Sequence, residues 1–281
     1  MAKFIDSFRG CKLSCYPVNR TVAIVPARLA STRLPGKALI DIAGKPMVCW
    51  VAERARLARN VDRVIVATDS QQIIDAVEAR GFEAVLTAAH HTSGTDRVAE
   101  VAAQIPDAEI IVNVQGDEPL ISPETIERAV DVMSAEISKQ DGAGIVTTWE
   151  PIDSLDDLLN PDLVKVVLNE NEMAIYFSRL PVPYPRDAAK RHGSLEAALM
   201  NEPDLLKPFR KHTGLYVYRR DVLLEFTQWP PSRLEQIEAL EQLRALEHGV
   251  KLKVVQACAA STGVDTVEDL EKVRELVGAR S

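Results

Sequence analysis

The stretch Val22-Ala-Ile-Val-Pro-Ala-Arg-Leu-Ala-Ser-Thr-Arg-Leu-Pro-Gly-Lys37 sets an apolar run directly against a basic loop. β-Branched residues crowd its first half, as suits a buried strand, here Thr21 to Val25. Pro26 ends the regular pattern, and Pro35-Gly36 marks a turn. The strand therefore opens into an exposed loop carrying Arg28, Arg33 and Lys37. In an open parallel sheet, ligands sit outside the carboxyl ends of the strands. The pattern points to a polyanion site, with a nucleoside triphosphate as the ligand class. An ordinary solvated loop could carry the same charges, but it would not need to follow a buried strand. The loop lacks the Gly-rich, Lys-Ser/Thr ending of a P-loop and the dinucleotide fingerprint. Phosphates bound here would be held largely by side chains.

Outward from that strand, the chain alternates. Pro46 suits the first turn of a helix to about Arg59, with Val48, Val51, Ala52, Ala55 and Ala58 as its inward face. Arg63 to Ala67 reads as a strand, and Thr68-Asp69-Ser70 caps a helix that stops at Gly81. Glu83 to Leu86 is a third strand, followed by a polar loop, Thr87 to Arg97, and a helix from about Thr95 to Ala103. Glu109 to Val114 is a strand ended by Gln115-Gly-Asp-Glu-Pro119; Pro123 opens a long helix towards Ser138, and Ala143 to Thr148 is a further strand. This order predicts an α/β fold, a mostly parallel, Rossmann-like layered sheet with right-handed crossovers.

The second half breaks the rhythm. Pro151 to Pro161 is acidic and loop-like, and Val164 to Leu168 and Met173 to Ser178 read as paired strands. Arg179 to His192, with Pro181, Pro183 and Pro185, reads as a surface arm reaching towards a neighbouring subunit. Thr213 to Tyr218 is a strand and Arg220 to Gln228 a short helix. Arg233 to Glu247 reads as one longer helix with Leu234, Ile237, Leu240, Leu243 and Leu246 facing in. Val250 to Gln256 is a strand, and Asp265 to about Val277 ends the chain on a helix.

The chain has 281 residues, 46% hydrophobic and 26% charged, enough for a substantial core and unlike a disordered composition. A net charge of -8 argues against a general nucleic-acid coat and favours a cytoplasmic protein. The cysteines at 11, 15, 49 and 258 lack the second close pair of a zinc site, and no apolar run has transmembrane length. The first twenty residues read as an extension.

Asp117 follows the apolar run Ile110 to Val114, between a permissive Gly116 and a stiffening Pro119. A carboxylate there faces the basic loop, and magnesium would reconcile it with a triphosphate. Asp265 is the second candidate ligand, or equally an N-cap for the last helix. Glu118 reads as a neighbouring surface acid. His212 and Tyr216 share one strand face, either as a polar pocket wall or as a packed tyrosine beside an exposed histidine. Glu241 and Gln242 fit a solvated helix face.

Taken in order, Pro26 to Lys37, Ala67-Thr-Asp69, Ser93-Gly-Thr-Asp-Arg97, Asn113 to Pro119, Tyr176-Phe-Ser-Arg179, His212 to Tyr216, Leu240 to Arg244 and Gly263-Val-Asp-Thr266 resemble the 3-deoxy-manno-octulosonate cytidylyltransferase family. The resemblance runs from Thr21 nearly to the C-terminus. It implies the fold of nucleotide-diphospho-sugar transferases, with residues 21–148 binding CTP and residues 149–281 serving sugar binding and dimerisation, their last elements returning to the main sheet. It implies transfer of a cytidylyl group from CTP to the anomeric hydroxyl of the sugar acid 3-deoxy-D-manno-octulosonate (KDO), with Mg2+ as cofactor and a homodimer as the assembly. Arg28, Arg33 and Lys37 would hold the triphosphate, with Ala27 and Ser31 in the same loop. Gln115, Ser93, Thr95 and Arg97 would position the cytidine. Asp117 and Asp265 would hold magnesium. Arg179, His212, Tyr216, Glu241 and Gln242 would line the sugar pocket.

Three departures stand out. The segment before Arg20 is long for the family, His90 stands where an acid is usual, and Val267 stands where a proline is usual. A sialic-acid cytidylyltransferase has a similar basic loop but usually reads Gly-Ser-Lys where this chain has Ser-Thr-Arg. A non-catalytic nucleotide-binding module would not require Asp117 and Asp265.

Overall fold

The computed structural model describes residues 20–30 and 34–278. Nearly all of the amino-terminal extension, with Cys11 and Cys15, lies outside the described residues, as do Ser31 and Arg33 of the basic loop.

The first half contains β1 (Thr21–Ala27), β2 (Asp41–Ile42), β3 (Lys45–Pro46), α1 (Met47–Arg56), β4 (Arg63–Thr68), α2 (Gln71–Glu78) and β5 (Glu83–Leu86). It continues with α3 (Gly94–Ala103), β6 (Ile110–Asn113), α4 (Pro123–Ile137) and β7 (Ile145–Pro151). Then come α5 (Leu155–Leu159), β8 (Lys165–Leu168), β9 (Ala174–Ser178), α6 (Arg186–His192), α7 (Leu195–Asn201) and β10 (Arg210–Arg219). The chain ends with α8 (Arg220–Phe226), α9 (Arg233–Glu238), α10 (Gln242–Glu247), β11 (Leu252–Gln256) and α11 (Val267–Gly278).

β1 is buried on both faces because a layer of helices covers each side of the sheet. Ala23 and Val25 pack with Val48 and Ala52 of α1 and with Ala129 and Met133 of α4. Val22 and Ile24 pack with Val98 and Ala102 of α3, Leu223 of α8 and Leu243 of α10. Alternate residues therefore serve opposite layers, which explains why the strand reads as a continuous apolar run. Each fully buried valine or isoleucine contributes roughly 1.5–3 kcal/mol.

The nine-stranded sheet runs β11-β7-β10-β6-β1-β4-β5, with β8 and β9 branching from β10. β1 pairs in parallel with β4 on one side and β6 on the other. β10 is antiparallel to both β6 and β7, so the sheet is mixed. The expected division at 148/149 falls inside β7, and β10 and β11 share the sheet with strands from the first half. From β1 the chain builds outward through β4 and β5, then returns to β6 on β1's other side. That reversal opens a crevice at the carboxyl ends of β1 and β6.

Three expectations are corrected. Arg233 to Glu247 is not one helix: α9 and α10 are separated at Ala239, whose φ of 52° is left-handed. Ser232 and Glu235 cap α9 reciprocally, while Arg244 of α10 reaches back to Glu235, so the break is held by specific bonds. Ile237, expected to face in, is 69% exposed. The acidic loop contains α5, whose N-cap Ser154 accepts from Asp157 N. The proline-rich arm ends in α6, which packs beside α7. A smaller core joins Leu34, Ile42 and Met47 to Val264, Leu270 and Val273, and ties the basic-loop side to α11.

Candidate active site

The crevice between β1 and β6 holds a cavity of about 320 Å³ lined by Ala27, Arg28, Lys37, Ser93, Gly94, Arg97, Gln115, Asp117 and Asp265, among others. Its floor depends on Gly116. A Cβ at that position would lie 2.5 Å from the Pro26 carbonyl oxygen, so only glycine lets the turn after β6 pack against the exit of β1. On the other side, Gly36 adopts φ 66° in the turn that presents Lys37.

Lys37 is the central contact. Its Nζ donates to Asp117 Oδ2 at 2.7 Å and to Asp265 Oδ1 at 2.9 Å. Residues separated by 80 and 228 positions thus converge on one ammonium. The backbone reinforces the pair, because Val264 N donates to Asp117 O at 2.9 Å. The start of α11 is capped by Thr266 and Asp269: Thr266 N donates to Asp269 Oδ2 at 3.0 Å, and Asp269 N to Thr266 Oγ1 at 3.2 Å. The N-cap role open to Asp265 is therefore filled by its neighbours, and the Asp265 carboxylate faces Lys37.

The donor set fits a hard divalent cation. Two carboxylates reach one point from different loops, and magnesium is commonly held by one or two carboxylates plus phosphate oxygens and water. Among the described residues no group of three or more His, Cys, Asp or Glu is arranged around a metal. A cation between Asp117 and Asp265 would complete its shell from the nucleotide.

The far wall comes from α3 and the loop before it. Ser93 caps α3, accepting from Asp96 N at 3.1 Å. Arg97 is buried, donating to Asp69 Oδ2 at 2.8 Å and to Thr87 Oγ1, so it braces the ends of β4 and β5 behind the cleft. His91 lines the cleft and bonds to Glu100. Thr95 is turned away from the cleft: its hydroxyl donates to Glu241 Oε2 at 2.5 Å.

A second group forms on the α3 face of β10. The irregularity in β10 between Thr213 and Tyr216 inserts two residues, which preserves strand parity and keeps His212 and Tyr216 on one face. Their rings lie 5.4 Å apart, and Phe177 meets His212 edge-on at 5.0 Å. Burial pushes His212 down to about 3 and the Tyr216 hydroxyl well above its usual range, with Glu241 adding to the latter. The Thr147 hydroxyl donates to Leu215 O at 2.8 Å, so it accepts from His212 Nε2 at 2.9 Å. Neutral His212 then keeps Nδ1 as an acceptor. Burial also holds Glu241 above the usual carboxylate range, against the Thr95 hydrogen bond and the Arg244 charge. Gln242 is 7% exposed at the start of α10, so the solvated-face reading does not describe it. Arg179 spends its guanidinium on the carbonyls of Glu238, Ala239 and Pro161, fastening the end of β9 to the α9–α10 break.

The surface-acid reading of Glu118 is corrected. Glu118 is part-buried, accepting from Ser261 Oγ at 2.9 Å. Burial pushes its carboxyl up to about 7 against that hydrogen bond, with Asp117 and Glu150 adding to the rise. Glu150 in turn accepts from Ser261 N at 3.0 Å and pairs with Lys211 at 2.8 Å. The adjacent acids Asp117-Glu118 were a signal, but only the fold puts one in the cleft and the other beneath it.

Comparison with known proteins gives the family. Residues 22–252 match the cytidylyltransferase family. A 3-deoxy-manno-octulosonate cytidylyltransferase of Pseudomonas fluorescens is 49% identical over 91% of this chain and 97% of its own length. One from Geobacter sulfurreducens is 51% identical over 90% of this chain and 97% of its own length. The solved structure of a CMP:2-keto-3-deoxy-manno-octonic acid synthetase complexed with CTP superposes with a TM-score of 0.82 at 41% identity, covering 94% of this chain and all of that one. The mixed sheet with flanking helices is the nucleotidyltransferase fold of that structure. On the family match and on relatives that span nearly the whole chain, the protein belongs to the cytidylyltransferase family.

Proposed function

We propose that the protein transfers the cytidylyl group of CTP to the anomeric 2-hydroxyl of KDO, giving CMP-KDO and pyrophosphate for lipopolysaccharide biosynthesis, with magnesium as cofactor. The observation that carries this reading is Lys37 held between Asp117 and Asp265 at the mouth of the crevice. The relatives' activity and the CTP-bound structural match supply the substrates.

The reaction needs both substrates aligned and developing charge neutralised, and no covalent enzyme intermediate. Arg28 and Lys37 line the cavity and face the triphosphate; Lys37 offers a compact charge to the leaving pyrophosphate, and Arg28 a planar fork. Arg33 joins them by resemblance. Ser31 joins them by resemblance too, and Ala27, Ser93, Gln115 and the Arg97 brace shape the nucleotide side. Asp117 and Asp265 would hold magnesium, which would supply Lewis-acid neutralisation of developing charge. His212, with its free Nδ1 lone pair, accepts from a sugar hydroxyl, and Tyr216, Glu241 and Gln242 complete that pocket. Arg179 supports the pocket from behind.

The first part of the chain supplies most of the CTP site, the second supplies Asp265 to it and binds the sugar, and the protein works in the cytoplasm. No helix among the described residues is long and apolar enough to cross a membrane. The working assembly is a homodimer formed through the arm region, where Leu180 and Tyr184 are 68% and 59% exposed. Light scattering at working concentration tests the dimer.

The deciding experiment measures pyrophosphate release from CTP, UTP, GTP and ATP with KDO, amino-substituted KDO and sialic acid, each with and without magnesium. Release with CTP and KDO, dependent on magnesium, is the expected result. Equal turnover with sialic acid would replace the sugar assignment, and full activity in chelator would remove the metal.

A further inference from the structure

Three consecutive residues open α3 at the border of the two regions. Ser93 and Gly94 line the nucleotide cleft, and the Ser93 side chain also bonds to Glu241. Thr95 is 5% exposed, does not line the cleft, and makes the second bond to Glu241, with its Oγ1 2.5 Å from Oε2. Tyr218, stacked on Tyr216 at 5.9 Å between ring centroids, also bonds to the Thr95 hydroxyl. One hydroxyl thus touches the aromatic row of β10 and the carboxylate at the α9–α10 break.

That break is not a loose turn. Arg179 holds the carbonyls of Glu238 and Ala239 at 2.7 and 3.2 Å. Arg244 grips Glu235 across it through two bonds, at 2.8 and 2.5 Å, and stacks on Phe226. Glu241, 3.7 Å from Arg244, is therefore carried by a braced corner. Thr95 is carried by the first turn of a helix whose preceding residues line the cleft. A displacement of that turn towards a bound nucleotide is passed to Glu241 through the Thr95 hydrogen bond, alongside the bond that Ser93 makes to the same carboxylate.

We propose that Thr95 is a positioning residue that couples the two halves of the site, so that nucleotide in the cleft and sugar acid against Glu241 each tighten the other's binding. The inference rests on the assignment of Glu241 to the sugar pocket. By linkage the effect is reciprocal, and couplings of this kind typically amount to about 5–150-fold in affinity.

The test is a binding cycle without turnover. The α,β-methylene analogue of CTP is titrated calorimetrically into the full-length protein with and without saturating KDO, and KDO is titrated with and without the analogue. In the wild-type protein each ligand should tighten the other by a factor of roughly five or more. T95V, which keeps the shape and loses the hydroxyl, should bring that factor close to unity, while T95S should retain it. A merely structural role for Thr95 would lower the thermal midpoint or both separate affinities and leave the factor unchanged. T95V with the wild-type factor overturns the coupling alone, as does a wild-type protein that binds both ligands independently. If the wild-type protein binds the analogue but KDO neither alone nor with the analogue, the sugar assignment falls and the coupling with it.

Discussion

The crevice at the ends of β1 and β6 and the aromatic face of β10 solve opposite problems. In the crevice, charge is left partly in water: Asp117 and Asp265 side chains are 38% and 57% exposed, and Lys37 lies between them. On β10, desolvation dominates, and it keeps His212 and Tyr216 in their neutral forms. A polyphosphate needs mobile countercharge that can be exchanged for a metal. A sugar hydroxyl needs neutral donors and acceptors in fixed directions.

The sharpest way to break the comparison is to alter the crevice. Asp117→Asn should retain CTP binding yet lose turnover by about 10²–10³-fold, the scale typical for removing a charge-stabilising group. Steady-state rates at saturating KDO check this, and near-normal turnover would remove Asp117 from the chemistry. Asp265→Asn should shift the magnesium titration to higher concentration; an unchanged titration would return that residue to a purely local role.

A backbone test comes next. Gly116→Ala should cost about 1–3 kcal/mol, as overpacking does, because the new methyl meets the Pro26 carbonyl rather than a flexible side chain. Denaturant midpoints would show it, and a neutral result would mean the floor of the crevice yields.

The β10 face is probed by pH. His212 titrates near 3 when folded and near 6.5 when unfolded. Between those values the unfolded chain binds the extra proton, so stability should fall as pH drops from about 6.5 towards 3. His212→Asn should flatten that part of the stability profile. An unaltered slope would show that His212 keeps enough water to protonate in place, and the contrast between the regions would weaken.

The smallest effect belongs to the corner linking them. Ala239→Gly should stabilise by up to about 1 kcal/mol, since alanine at φ 52° carries a left-handed penalty that glycine escapes in part at an entropic cost. Thermal midpoints measure it.

Some of this was legible from local pattern. The β1 run, the strand-end Asp117 and the alternation up to β7 follow from apolar periodicity and turn residues, which neighbouring positions fix. The order of the eight motifs identified the family for the same reason. Arg233 to Glu247 was misread because its apolar spacing continues across Ala239, while the bonds that break the helix there come from Arg244 and Arg179 reaching across space. Asp265 could not be told from a cap, because Thr266 and Asp269 are equally able to cap and only their geometry shows that they do.

The sequence by itself determined the strand that opens into cations, the acid that follows β6 and the shared strand face of His212 and Tyr216. Those properties are carried by residues adjacent in the chain. Only the tertiary structure decided that Lys37 joins Asp117 to Asp265, that Arg97 and Arg179 act as braces, and that Thr95 bonds to Glu241 and does not line the cleft. Each of those contacts spans tens to hundreds of residues. A hydrogen bond is satisfied within about 3 Å and in one direction, so its partner is set by how the sheet reverses at β1 and by where β10 enters it.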